Sequence, residues 1–140
     1  MVSMTTMGYN PTDLRTRTKR FALGIIRLCR ALPRSEEGRI ISRQLLRAGT
    51  SVGANYRAAC RARSKAEFVA KLGIVLEESD ESVFWLELLT EAGIGNKPLV
   101  QEAMKEANEL TSIFVSSVCT AKATSSSHVQ HPSKGFTSAF

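Results

Sequence analysis

The sequence predicts an all-α protein, an antiparallel up-down-up-down four-helix bundle over residues 12–123. Three observations carry this expectation. Four long segments place apolar residues at alternating spacings of three and four, the period of one buried helical face. Breaking or capping residues bound each segment, and the joints are short, which favours antiparallel neighbours. No stretch alternates with period two over a useful length, so no sheet is expected.

The first helix runs from about Asp13 to Leu32, with Leu14, Thr18, Phe21, Ile25, Leu28 and Leu32 on one side, and Pro33 stops it. The second enters through Ser35 and turns Ile41, Leu45, Ala48, Val52, Tyr56 and Ala59 inward, within an arc of about 80°. Gly49 and Gly53 lie inside it, and each costs about 1 kcal/mol relative to alanine. Close approach of another backbone is the expected compensation. Asn55 sits at the edge of the buried face and is expected to bond across the bundle and fix register.

Ser64-Lys65-Ala66-Glu67 is a capping box that opens the third helix. That helix carries Phe68, Leu72, Val75, Leu76, Ser79, Val83 and Leu86 inward and closes near Gly93. Asn96-Lys97-Pro98 starts the fourth, with Leu99, Ala103, Ala107, Leu110, Phe114, Ser117 and Ala121 inward. Residues 1–11 and 124–140 are poor in apolar residues or rich in Ser, Thr, Gly and Pro, and are expected to be flexible, the tail disordered.

A chain of 140 residues is long enough for one core without staples. Cys29, Cys60 and Cys119 are far apart and odd in number, which reads as small buried thiols in a reducing compartment. No apolar run approaches membrane-spanning length, and no basic-then-apolar signal pattern opens the chain. The expectation is a soluble, cytoplasmic protein that neither crosses nor binds a membrane.

The net charge of +6 hides a division. Residues 13–63 hold thirteen Lys/Arg against three Asp/Glu, whereas residues 64–123 hold five against ten. On helix 2, Arg39, Arg43, Arg47, Arg57 and Arg61 form a stripe about 80° wide opposite the buried face. Lys19, Arg20, Arg27 and Arg30 lie outward on helix 1, and Arg15 and Arg17 add charge near its start. If the two helices are neighbours, these residues make one broad positive surface suited to RNA or DNA backbone. Few aromatics interleave with them, so recognition of backbone or duplex shape is favoured over stacking on single-stranded bases.

Helix 3 has a second apolar face. Ile74, Phe84, Trp85 and Leu88 point away from its inward set, with Glu77 and Glu81 beside them. Such a patch marks contact with another chain. The carboxylates could meet the arginine rail of a neighbouring copy, a heterologous contact that closes into a ring when the rotation permits. The alternative is that the chain's own terminal segments, with Phe136 and Phe140, cover the patch.

Enzymatic chemistry has little support in these residues. His128 and His131 stand alone in the Ser-rich tail, too few for a metal site. The run Glu77-Glu78-Ser79-Asp80-Glu81 spreads its carboxylates around the helix, which suits a solvated or interface charge run better than a Mg²⁺ site. No Gly-rich phosphate loop and no nucleophile-plus-base arrangement appears. No cofactor, metal or small-molecule substrate is expected.

Several blocks also carry a resemblance. Leu32-Pro33, Ser-Arg-Gln-Leu-Leu-Arg-Ala at 42–48, Ser51-Val52, Ala54-Asn55 and Arg63-Ser64-Lys65-Ala66-Glu67-Phe68 resemble bacterial four-helix bundle proteins encoded in intervening sequences of large-subunit ribosomal RNA genes. The segment Lys71–Leu89 matches one branch closely, and the chain is also similar to accessory variability proteins of diversity-generating retroelements. The resemblance covers roughly residues 13–120. It implies a four-helix protomer in a ring, commonly a pentamer, with a basic surface. In the retroelement branch it implies association with a reverse transcriptase and with RNA or DNA. Tyr56-Arg57-Ala58-Ala59-Cys60-Arg61 departs from the commoner form, which follows the asparagine with small, acidic and glycine residues.

The combined expectation is a non-catalytic homo-oligomer that binds nucleic acid through helices 1 and 2. Its rival is a structural oligomer whose basic face is consumed by salt bridges between subunits.

Overall fold

The computed structural model describes residues 11–129, with side chains from 13 to 124. Four helices follow one another: α1 (Pro11–Arg30), α2 (Glu36–Cys60), α3 (Lys65–Ala92) and α4 (Lys97–Val129). Among the described residues there is no strand. α4 continues to Val129, six residues beyond the boundary expected from composition at 123. The expectations for residues 1–10 and 130–140, including any covering role of Phe136 and Phe140, lie outside the described residues.

The caps explain where the helices begin and end. The Ser35 hydroxyl accepts from the Gly38 N–H at 3.2 Å, opening α2 one residue after Ser35. At α3 the Ser64 hydroxyl accepts from the Glu67 N–H at 3.1 Å. The Glu67 carboxylate reaches back to the Arg63 N–H at 3.0 Å, completing the box. Gly93, at φ 67°, turns the chain into the left-handed region, and Ile94 N–H closes on Leu89 C=O at 2.9 Å. The Asn96 side chain accepts from Leu99 N–H at 3.2 Å and starts α4.

The inward residues predicted on α1 and α2 are all buried. On α3 and α4 the same holds except for Phe68, Leu76 and Leu99, which are half-buried at the edges. Tyr56 of α2 and Phe114 of α4 meet across the centre, with ring centroids 5.7 Å apart. Thr18 is buried yet polar, and its hydroxyl donates to Leu14 C=O at 2.7 Å, so no donor is stranded.

The register of α1 on α2 is set at the glycines. A Cβ on Gly49 would lie 2.9 Å from Ile25 Cγ1, and one on Gly53 would lie 3.4 Å from Thr18 Oγ1. Later residues of α2 thus meet earlier residues of α1, the antiparallel sense. The close approach expected at both glycines is tight only at Gly49, where it is made by a side chain; at Gly53 it is ordinary contact.

Asn55 does not tie the bundle together. Its side-chain N–H donates to Ser51 C=O at 2.9 Å, within its own helix. Among the described residues a hydroxyl pair does cross between helices: Ser79 of α3 and Thr111 of α4 are 2.7 Å apart. Thr111 gives its one hydroxyl hydrogen to Ala107 C=O, so Ser79 donates to Thr111.

Candidate functional site

The predicted basic surface divides into three parts once the helices pack. Arg47 leans toward α3, where its guanidinium bonds Glu78 at 3.2 Å and also pairs with Glu81. Arg17 leans toward α4, with Glu106 and Glu109 each at 2.5 Å. These hydrogen bonds, led by Glu81 for Arg47 and by Glu106 for Arg17, raise both guanidiniums above their ordinary pKa. Arg20 and Arg27 line an open groove of about 710 Å³ between α1 and α4, whose far wall carries Glu102, Lys105, Glu106 and Glu109. Arg17 and Arg47 are thereby engaged within the chain, and Arg20 and Arg27 share a groove with acids.

The rest stay on the outer α1–α2 face. Arg15 lies within about 40° of helical phase of Cys29, whose thiol bonds Ser42 of α2, so it stands on that side of α1. Lys19 and Arg30 share its direction to within about 60° of helical phase. With Arg39, Arg43, Arg57 and Arg61 they are exposed, and among the described residues none of the seven makes an ion pair. Because α1 and α2 are antiparallel, Arg15, Lys19, Arg57 and Arg61 gather at the end where α1 begins. Arg30, Arg39 and Arg43 gather at the other end. Between them the surface is apolar, with Leu23 at 45% and Leu46 at 37% exposure. The expected continuous rail is two cationic clusters with an apolar waist. Leu46 was legible in the sequence, since it shares the helical direction of Arg39 and Arg57 to within about 20°.

The second apolar face of α3 also differs from expectation. Phe84 and Ile74 are exposed, at 49% and 37%, while Leu88 and Trp85 are half-buried. Trp85 packs against the chain's own core, and Phe84 meets it edge-on at 5.0 Å between centroids. The Trp85 indole N–H is buried without a hydrogen-bond partner among the described residues. Phe84, not Trp85, is the exposed centre of the patch. Glu77 remains exposed beside it, but Glu81 is already taken by Arg47 of the same chain, with Glu78 as a second partner that helical phase alone does not indicate.

Among the described residues no three His, Cys, Asp or Glu side chains cluster as metal ligands would. The side chain of His128 and all of His131 lie outside the described residues. Burial pushes the Cys29 thiol above its ordinary pKa, opposed by its bond to Ser42 C=O at 3.6 Å. Cys119, expected to be buried, is exposed one residue past the buried Val118. None of the described helices is long and apolar enough to cross a membrane.

A family model described as 23S rRNA-intervening sequence protein matches residues 12–116, the helical bundle through most of α4. The chain belongs to this family. A solved structure from Bacteroides thetaiotaomicron, described as a protein with unknown function from the S23 ribosomal protein family, is similar to it. The two are 31% identical with a TM-score of 0.70, over 77% of this chain and 96% of the other. No curated protein matches the chain. Both cationic clusters of this 23S rRNA-intervening sequence family protein, Arg15 through Arg61, fall inside the matched residues.

Proposed function

We propose that this protein is a non-catalytic, homo-oligomeric helical bundle that binds RNA or DNA backbone through the outer α1–α2 face. One observation carries the reading: seven basic side chains stay exposed on one face with no carboxylate paired to them, while the acids of α3 and α4 engage Arg47 and Arg17 instead. Uncompensated guanidiniums held at fixed spacing on packed helices favour phosphate over a dispersed counterion cloud, and counterion release supplies the free energy. Self-association runs through Phe84, Ile74 and Leu88, a patch that water covers poorly; a five-membered ring follows only from the resemblance. Nothing in this reading requires a reverse transcriptase client.

The deciding experiment is a salt titration of labelled RNA and DNA binding by the purified oligomer. The expected result is an affinity that falls steeply with salt and little with sequence. Absence of binding at low ionic strength overturns the reading. The second reading, a structural oligomer with its arginines spent between subunits, draws on Glu77 and Asp80, which stay exposed beside Phe84. It requires Arg57→Glu with Arg61→Glu to abolish assembly, whereas the binding reading keeps the assembly and loses only polyanion affinity. Phe84→Glu tests the contact itself: an unchanged oligomer removes the α3 patch from the interface.

A further inference from the structure

The two cationic clusters are not a diffuse positive surface, because their spacing is fixed by one continuous helix and its C-cap, Arg61. On α2 the midpoints of the Arg39/Arg43 and Arg57/Arg61 pairs are 18 residues apart, about 27 Å at the rise of an α-helix. On α2 itself the stretch between them offers no free cation; Lys19 of α1, next to the Thr18 that meets Gly53, flanks the Arg57/Arg61 pair on its inner side. Arg47 is turned to Glu78 and Glu81, and Leu46 and Leu23 are exposed in its place. A ligand satisfying both pairs therefore presents phosphate at two places about 27 Å apart and little charge between.

Double helices differ in how they meet this demand. A strand of B-form DNA returns to one face after about 34 Å. In A-form RNA the turn is shorter, and the deep, narrow major groove brings the two backbones together into one ridge. Successive ridges are then separated by a wide, shallow minor groove. Laid along such a duplex, α2 would set one arginine pair on each ridge and its apolar middle over the shallow groove. A flexible single strand gains little here, since it must be ordered across an apolar gap that has no exposed aromatic for bases to stack on.

We infer that the polyanion fitted by this face is an A-form RNA duplex, gripped at two points one helical turn apart by Arg39/Arg43 and Arg57/Arg61. The inference rests on the polyanion-binding reading above and adds the ligand's form and its minimum length. Two linked contacts bind as a chelate, so affinity steps upward once one ligand reaches both pairs.

The test is a length series of blunt RNA duplexes of about 6, 9, 12 and 15 base pairs, bracketing one A-form turn, with binding to the full chain followed by anisotropy at constant low salt. The expected result is a gain of about tenfold as the duplex passes one turn. That step disappears in Arg39→Glu/Arg43→Glu and equally in Arg57→Glu/Arg61→Glu, and survives in Arg47→Glu. Circular dichroism checks that each variant is helical, and glutamine replaces glutamate in any pair that fails to fold. Affinity that rises smoothly with length, or a step indifferent to both pairs, overturns the two-point grip while leaving polyanion binding intact. A DNA duplex with the same step at equal affinity overturns the A-form assignment. No binding to any polyanion at low salt removes this inference and the functional reading together.

Discussion

Arg47 and Arg57 lie on the same helix and in the same charged stripe, yet they have opposite fates. They are ten residues apart, which turns them about 80° from each other at 100° per residue. That angle decides which neighbour each one meets. Arg47 leans over the α2–α3 seam, where Glu78 and Glu81 stand at its height. Arg57 leans over the α1–α2 seam, where the facing side of α1 carries Arg15 and Lys19. A stripe of like residues on one helix is thus no single surface. It is partitioned by the helices on either side, and only the part facing an equally basic neighbour keeps its charge for a ligand.

The comparison can be broken in several ways. The largest expected effect is on binding: glutamine at Arg39, Arg43, Arg57 and Arg61 together lowers polyanion affinity about a hundredfold near 0.1 M salt and reduces the salt slope by three to four. Arg47→Gln, measured by the same anisotropy titration, changes affinity by less than about twofold. Equal losses in the two proteins would falsify the division of the stripe.

The next effect concerns the seam that brings the two clusters to one face. Gly49→Ala drives a methyl against Ile25 and destabilises by about 1–2 kcal/mol, the overpacking outweighing the gain in helix propensity. Gly73→Ala on α3 meets nothing within 4 Å and stabilises by about 0.5–1 kcal/mol. Urea midpoints for the two variants move in opposite directions; a stabilised Gly49→Ala would mean that Ile25 yields easily and that α1 and α2 are loosely packed there.

A third prediction sharpens the core beneath the cluster at the start of α1. Burial raises the Tyr56 phenol well above its ordinary value near 10, with Cys60 adding to the rise and Arg15 opposing it. The folded state therefore holds the proton where the unfolded chain releases it. Stability is full below pH 10 and falls above it, by up to about 1.4 kcal/mol per pH unit, until the folded phenol itself ionises. Tyr56→Phe removes that slope in denaturation curves taken between pH 9 and 11, whereas an unaltered slope assigns it elsewhere.

The smallest effect is the stability contribution of the Arg47 clasp. Its guanidinium is half exposed, so Arg47→Gln costs at most about 1 kcal/mol, and less in high salt. A loss several times larger would show that the clasp, and not apolar packing, holds α2 to α3.

The buried faces of α1 and α2 were readable in full from residue spacing, because a 3.6-residue period and burial are one geometric fact: Leu14 through Leu32 and Ile41 through Ala59 fall inward as their spacing requires. On α4, by contrast, Val100, Ile113 and Val118 are buried outside the set that spacing picked out. The caps at Ser35, Ser64 and Asn96 were equally legible, since each is satisfied within a few residues of itself. The site was only half legible. Periodicity gives a residue's direction from its own axis and says nothing of what stands opposite. Asn55 found Ser51 on its own helix, and Trp85 found the core.

What the sequence determined alone is therefore the local code: four helices, the caps that open α2, α3 and α4, and an excess of positive charge on the first two. The tertiary structure decided how that charge is shared. Pairing depends on distances of a few ångströms between helices far apart in the chain, as between Arg17 and Glu106 or Arg47 and Glu78. Coulomb attraction and hydrogen bonding at that range are fixed by the register and rotation of packed helices, quantities no single helix contains.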